Sequence, residues 1–154
     1  MKALRLLCIL GLILAISSLA YAETTTRIAT IKQVSGTVEM KVSKGSWMPA
    51  IVGTNLKQGD AIRTKANSTA TLLLDGKAET ASVEVKQNSQ LTLAELIANK
   101  AQGTETTLLD LSLGEILIKA KKLHSEKSRF EVKTPTSIVG VRGTTFSVTV
   151  EAVE

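Results

Sequence analysis

Catalysis needs reactive groups that can meet, and this chain of 154 residues offers few. Its one histidine, His124, lies in a segment with Lys119, Lys121, Lys122, Lys127 and Arg129. A nucleophile–base–acid triad has no support there. The carboxylates Asp60, Asp75, Glu79, Glu84, Glu95, Glu105, Asp110 and Glu115 are scattered. No two are set apart as the pair that glycoside hydrolysis needs. No D-x-D-x-D loop and no clustered Cys/His set marks a calcium or zinc site. We expect no enzyme, no cofactor and no metal.

Binding chemistry has more to work with. The basic segment around Lys121, Lys122 and His124 reads either as a solvated loop or as a patch for phosphate or sugar acid. Trp47, beside Met48-Pro49, is either packed in the core or a stacking platform for a sugar or a partner. Gly140-Val141-Arg142-Gly143 is not a phosphate loop, because a β pattern rather than a helix follows it. Its glycines suit a bulge or a close backbone approach. Arg142, with five donors in a fixed fork, is expected to tie several turns together, with direct ligand binding as the competing role. Gly59-Asp60 and Asp75-Gly76 are turn chemistry, with Asp capping its own backbone and Gly taking positive φ.

Those residues need a compartment and a scaffold. Lys2 and Arg5, the apolar run Leu6 to Leu19 and the small residues of Ala20-Tyr21-Ala22 predict a secretory signal peptide over residues 1–22. The alternative, an uncleaved anchor, is short for a bilayer span of roughly 20 residues. Cys8 lies inside the apolar run after Leu7, where lipoprotein chemistry does not fit. We therefore expect no transmembrane segment after cleavage and a periplasmic or secreted domain over 23–154. That domain has no cysteine and no disulfide, so packing and strand pairing must hold it. Without Lys2 and Arg5, 17 basic side chains face 14 acidic ones, a net of +3. That charge is too mild to imply nucleic acid, which export also disfavours.

The texture predicts an all-β domain of short twisted antiparallel strands, stacked as a small solenoid-like or sandwich-like roll. Strands are expected at 28–34, 36–42, 47–51, 61–64, 69–74, 82–86, 90–97, 106–113, 114–120, 130–133 and 144–150. Residues 23–26 are read as a frayed start and 53–60 as a loop. Ala94 to Ala101 is ambiguous. Its composition favours helix, but its length and neighbours favour strand and turn. Gly36-Thr37-Val38-Glu39-Met40-Lys41 faintly echoes Gly114-Glu115-Ile116-Leu117-Ile118-Lys119.

The closing stretch is the most specific. Phe130-x-Val132-x-Thr134-Pro135 leads into Val139-Gly140-Val141-Arg142-Gly143-Thr144-x-Phe146-x-Val148. It resembles the closing motif of the FecR family, envelope proteins named for a regulator of iron-dicitrate uptake. Gly36-Thr37-Val38, Trp47 and Leu56-x-x-Gly59-Asp60-x-Ile62-x-Thr64 look like the front of such domains. Ala70 to Gly76, Val83, Val85 and Asn88-Ser89-x-Leu91-x-Leu93 look like their middle, and Leu109 to Glu115 leads towards the closing motif. The resemblance implies a non-enzymatic interaction or signalling module of the bacterial envelope. Gly140, Arg142, Gly143, Thr144 and Phe146 then form a structural family motif. It also implies iron-responsive regulation, but the family's cytoplasmic anti-sigma segment and second periplasmic domain have no counterpart in residues 1–154. The expected partner is an envelope protein. The alternative is a cell-wall polymer or polysaccharide held by Trp47, Lys121, Lys122 and His124.

Overall fold

The computed structural model describes residues 24–76, 80–122 and 125–151. The expected signal peptide and His124 lie outside them. Every regular element among the described residues is a strand. The chain enters through β1 (Thr24–Thr26), then β2 (Ala29–Ser35), β3 (Val38–Lys41), β4 (Met48–Pro49) and β5 (Asn55–Leu56). β6 (Ala61–Thr64), β7 (Thr69–Leu74), β8 (Ala81–Val85) and β9 (Gln90–Asn99) follow. The 17-residue β10 (Thr104–Ala120), β11 (Arg129–Lys133), β12 (Ile138–Gly140) and β13 (Thr145–Val150) complete it.

The strands join into four long ribbons, each bent once: β2–β3, β6–β7, β8–β9 and β10. Successive ribbons pair antiparallel on both sides of the bend. β3 pairs β6 and β2 pairs β7. β6 pairs β9 and β7 pairs β8. β9 pairs the first part of β10 and β8 its last part. The product is one antiparallel meander folded across its middle into a half-barrel, neither a solenoid nor two separate sheets. One pairing departs from the antiparallel expectation, since β11 runs parallel to β10.

The bends stack in a column, which gives the faint sequence echo a physical basis. Gly36 turns at φ +76°, and a Cβ there would lie 2.4 Å from Ser68 Oγ. Gly114 turns at φ +87°, and a Cβ there would lie 2.2 Å from Ser89 Oγ and 2.5 Å from its Cα. Only glycine fits either place. Beyond each glycine, the next N–H donates to the same serine: Thr37 to Ser68 Oγ at 2.8 Å, Glu115 to Ser89 Oγ at 2.9 Å. The residue before each serine is an asparagine in the left-handed region, Asn67 at φ 53° and Asn88 at φ 52°. Asparagine tolerates that region better than other side chains. The first and last ribbons thus fold on the second and third by one repeated device.

The two halves of each ribbon turn alternate side chains inward. Ile31, Leu72, Leu74, Val83, Ile116 and Ile118 meet Ile62, Leu91, Leu93, Leu109 and Leu111, all 0% exposed. Phe130 and Val132 of β11 join the same cluster. The ambiguous stretch proves to be strand, and the register shows why it looked helical. Leu108 faces Glu95 but Leu109 faces Leu93, so Ala94 is an extra residue, a bulge. Leu93 and Leu96 both stay inside, and their spacing of three imitates a helix.

Other boundaries differ for similar reasons. The two strands expected at 106–113 and 114–120 are one, because Gly114 bends β10 without ending it. The expected frayed start forms β1, paired with Ile97–Asn99 of β9. β5 lies in the expected loop, β12 was not foreseen, and Trp47 stands just outside the two-residue β4.

Candidate functional site

Two segments share one flank of β10. β11 pairs with Thr106–Asp110, ending at Lys133 opposite Asp110. β13 runs the other way and pairs with Gly114–Lys119, ending at Val150 opposite Gly114. Their C-terminal ends converge, and Leu111, Ser112 and Leu113 between them have no strand partner on that flank. A cleft of about 610 Å³ fills the gap. Leu113 and Ser112 form its floor, Thr134 to Ser137 and Val139 one wall, and Ser147 to Val150 the other. Glu151 is the one charged group in the lining. Leu113, Ile138 and Val139 are exposed at 39%, 63% and 38%.

β13 has a second property. Its only strand partner among the described residues is β10, so its outer edge is free. Residues 143–150 carry no charge and no proline, the usual protections of an exposed edge. Phe146, Val148 and Val150 pack against the core, while Ser147 and Thr149 face out.

The family-motif residues build the crossing from β12 to β13. Val141 is buried and its N–H donates to Phe130 O at 2.8 Å. Gly143 turns at φ +68°, where a Cβ would lie 2.7 Å from Lys122 Cα. Thr144 is exposed, and its carbonyl accepts from Ala120 N–H at 3.1 Å. Phe146 packs on the core. Gly140 closes β12 in ordinary backbone geometry with open space around it. Arg142 is exposed and makes one hydrogen bond, donating to Glu126 O at 3.2 Å.

The reach expected of Arg142 across several turns belongs instead to Arg27, which the sequence reading passed over. Arg27 is 7% exposed. Its guanidinium grips Asp75 with two nitrogens, Nε at 2.6 Å from Oδ1 and Nη2 on Oδ2. Nη1 donates to Thr107 Oγ1 at 2.8 Å, and Thr80 donates its hydroxyl to Asp75. One side chain joins the start of the fold, the Asp75-Gly76 turn and β10.

The structure brings Lys122 and Arg142 together around a small cavity with Ser125 and Glu126. Lys121 is exposed beside them, its N–H on Thr80 O at 3.0 Å. No contact of the described residues links these lysines to Trp47. That ring lies under Arg63, whose Cζ is 4.2 Å from the ring centroid, a cation–π contact. Arg63 Nε also donates to Glu39 at 2.7 Å, with Lys65 at 3.6 Å. That hydrogen bond, with the two nearby positive charges, holds the Glu39 carboxyl below its usual range. Among the described residues no group of three or more His, Cys, Asp or Glu side chains is placed to hold a metal ion.

A family model described as FecR protein matches residues 60–153, which include three of the four ribbons, the convergent flank and the whole closing motif. The chain belongs to the FecR family. FecR domains are regulatory, signalling modules associated with the cell envelope. The match begins at Asp60, so residues 36–59 of the likeness drawn from the sequence fall outside it. No curated protein and no solved structure matches the chain. Among the described residues no helix is long and apolar enough to cross a membrane.

Proposed function

We propose that this FecR-family chain is a non-enzymatic signalling module of the bacterial envelope that receives an extended segment of an envelope protein by strand addition on β13. The observation that carries this reading is the free, uncharged edge of β13 beside the cleft over Leu111–Leu113. Unpaired N–H and C=O groups on such an edge supply affinity through main-chain hydrogen bonds, and adjoining pockets select side chains. The lining, uncharged apart from Glu151, favours a partner segment of β-branched and small polar residues. Iron-responsive regulation is the family's namesake role, and the partner's identity would decide whether it applies.

The test is a photo-crosslinker at Ser147 in living cells, with and without Thr149→Lys. Ser147 and Thr149 face outward, so the lysine leaves the core alone and puts a charge on the edge. One envelope protein captured at Ser147 and lost with the lysine is the expected result. Identical capture in both would overturn strand addition.

A second reading has one observation in its favour. Lys122 and Arg142 converge on one cavity beside Ser125, a suitable pairing for a sugar acid or phosphate of a wall polymer. The proposed sugar platform at Trp47 already has Arg63 on one ring face. Anionic wall polymer should be released by Lys122→Ala with Arg142→Ala and should not respond to changes at Ser147 or Thr149.

A further inference from the structure

The flank of the first ribbon is covered differently from that of the last. One continuous strap, residues 48–56, runs along it. It pairs with β3 through Met48 and Pro49 and with β2 through Asn55 and Leu56. Between those ends it crosses the bend. Ala50 N–H donates to Val38 O at 2.9 Å, Gly53 N–H to Ile31 O at 2.7 Å, and Ile31 N–H to Thr54 O at 2.9 Å. The buried carboxylate of Asp60 ties the adjoining turns, accepting from Ser43 N–H and Lys57 N–H, both at 2.7 Å. The apex is therefore fixed, and it presents two consecutive aliphatic side chains to solvent. Ile51 is 64% exposed and Val52 57%, with Met48 on the same strap at 43%.

The charges carried by the sequence through this strap have one sign. From residue 40 to residue 59 there is no acidic side chain but there are three lysines, Lys41, Lys44 and Lys57. Lys32 adds a fourth beside Ile31, at a register shift in β2. Among the described residues none of the four forms an ion pair. The acids that flank this stretch are engaged, Glu39 by Arg63 and Lys65 and Asp60 by backbone N–H groups. A rigid apolar apex among unpaired lysines is the pattern of a surface that meets anionic lipid. The aliphatic side chains enter the interface and the lysines meet headgroup charge. Consecutive exposed aliphatics are unfavourable in water alone.

We propose that the strap is a peripheral docking surface for a bilayer carrying anionic phospholipid, with Ile51 and Val52 as the inserting residues. The proposal goes beyond strand addition on β13. It concerns the opposite edge of the meander from the convergent cleft.

Trp47, the only tryptophan, adjoins the strap and reports on this face alone. The protein recovered from cells expressing the full chain is mixed with vesicles of phosphatidylcholine and phosphatidylglycerol bearing brominated acyl chains. Quenching of Trp47 is expected with these vesicles and not with phosphatidylcholine alone. Ile51→Asp with Val52→Asp should weaken it at least about tenfold. Lys44→Ser with Lys57→Ser should weaken it and lessen its salt dependence. Ile138→Asp, on exposed β12, should change nothing, and thermal melts confirm that each variant is folded. Absence of quenching overturns the proposal, as does quenching that survives the double aspartate variant or appears equally on neutral vesicles. A strap that binds an envelope protein but leaves Trp47 unquenched by lipid also overturns it, by assigning the surface to protein.

Discussion

Arg27 shows what a single residue can contribute when its partners are distant in sequence. Asp75 is 48 residues away and Thr107 is 80, so no local pattern in the sequence marks it, and its neighbours looked like a loose start. Arg27→Ala leaves a mostly buried carboxylate without its cation and should cost about 3–5 kcal/mol, seen as a lower midpoint in urea with an unchanged slope. Glu39 is a milder case. Its folded-state pKa lies below the ordinary value of 4.5 because Arg63 and then Lys65 favour the ionised form. The stabilisation is complete above that value and is lost as pH falls through the depressed folded value. Glu39→Gln should therefore lower the neutral plateau of the stability profile slightly and flatten its acid limb below pH 4.5. Acid titration followed by Trp47 fluorescence would show it. Asp60 was legible as a turn residue because its carboxylate accepts from Lys57 N–H three residues back, which is local chemistry, whereas the carboxylate of Asp75, read as a cap, is held by the Arg27 and Thr80 side chains.

At the scale of elements, legibility followed periodicity. β7 reads Thr69–Leu74 with strict alternation of half-buried and buried positions, and its bounds match those expected from the sequence. β9 failed that reading because one extra residue breaks its period. Deleting Ala94 is a direct test. The deletion joins the pairs Leu93–Leu109 and Glu95–Leu108 into a regular ladder with Leu93 and Leu96 still inside, so the variant should fold cooperatively, whereas deleting Ala94 and Glu95 together slips the register beyond them by one and turns Leu96 out, so that variant should not. Circular dichroism melts separate the two. The free edge of β13 was legible only as a position near the end of the pattern. The cleft beside it was not, because it arises where a parallel and an antiparallel strand converge on one flank, and pairing direction leaves no trace in a hydrophobic period. Trp47 likewise carried no sign of Arg63, which reaches it from a neighbouring strand.

The whole molecule is a meander whose neighbours in sequence are neighbours in space, except along the outer flank of β10 and where β1 pairs β9. Such all-β topologies fold in milliseconds to seconds. Stopped-flow refolding followed at Trp47 should fall in that range. The all-β class was readable from alternation, and the echo between residues 36–41 and 114–119 was visible without its cause. The folding of the meander across its middle was not, because the stacked column of Gly36, Ser68, Ser89 and Gly114 is made by contacts between ribbons. That arrangement has a consequence in time. All four ribbons are complete by Ala120, and the segment that covers the far side of β10 is contained in residues 129–150. A chain synthesised from its N-terminus presents a paired meander with one unpaired margin before its own last strands arrive. During that interval, any other strand of suitable sequence competes with β13 for the same place, and the order of arrival decides which one docks first.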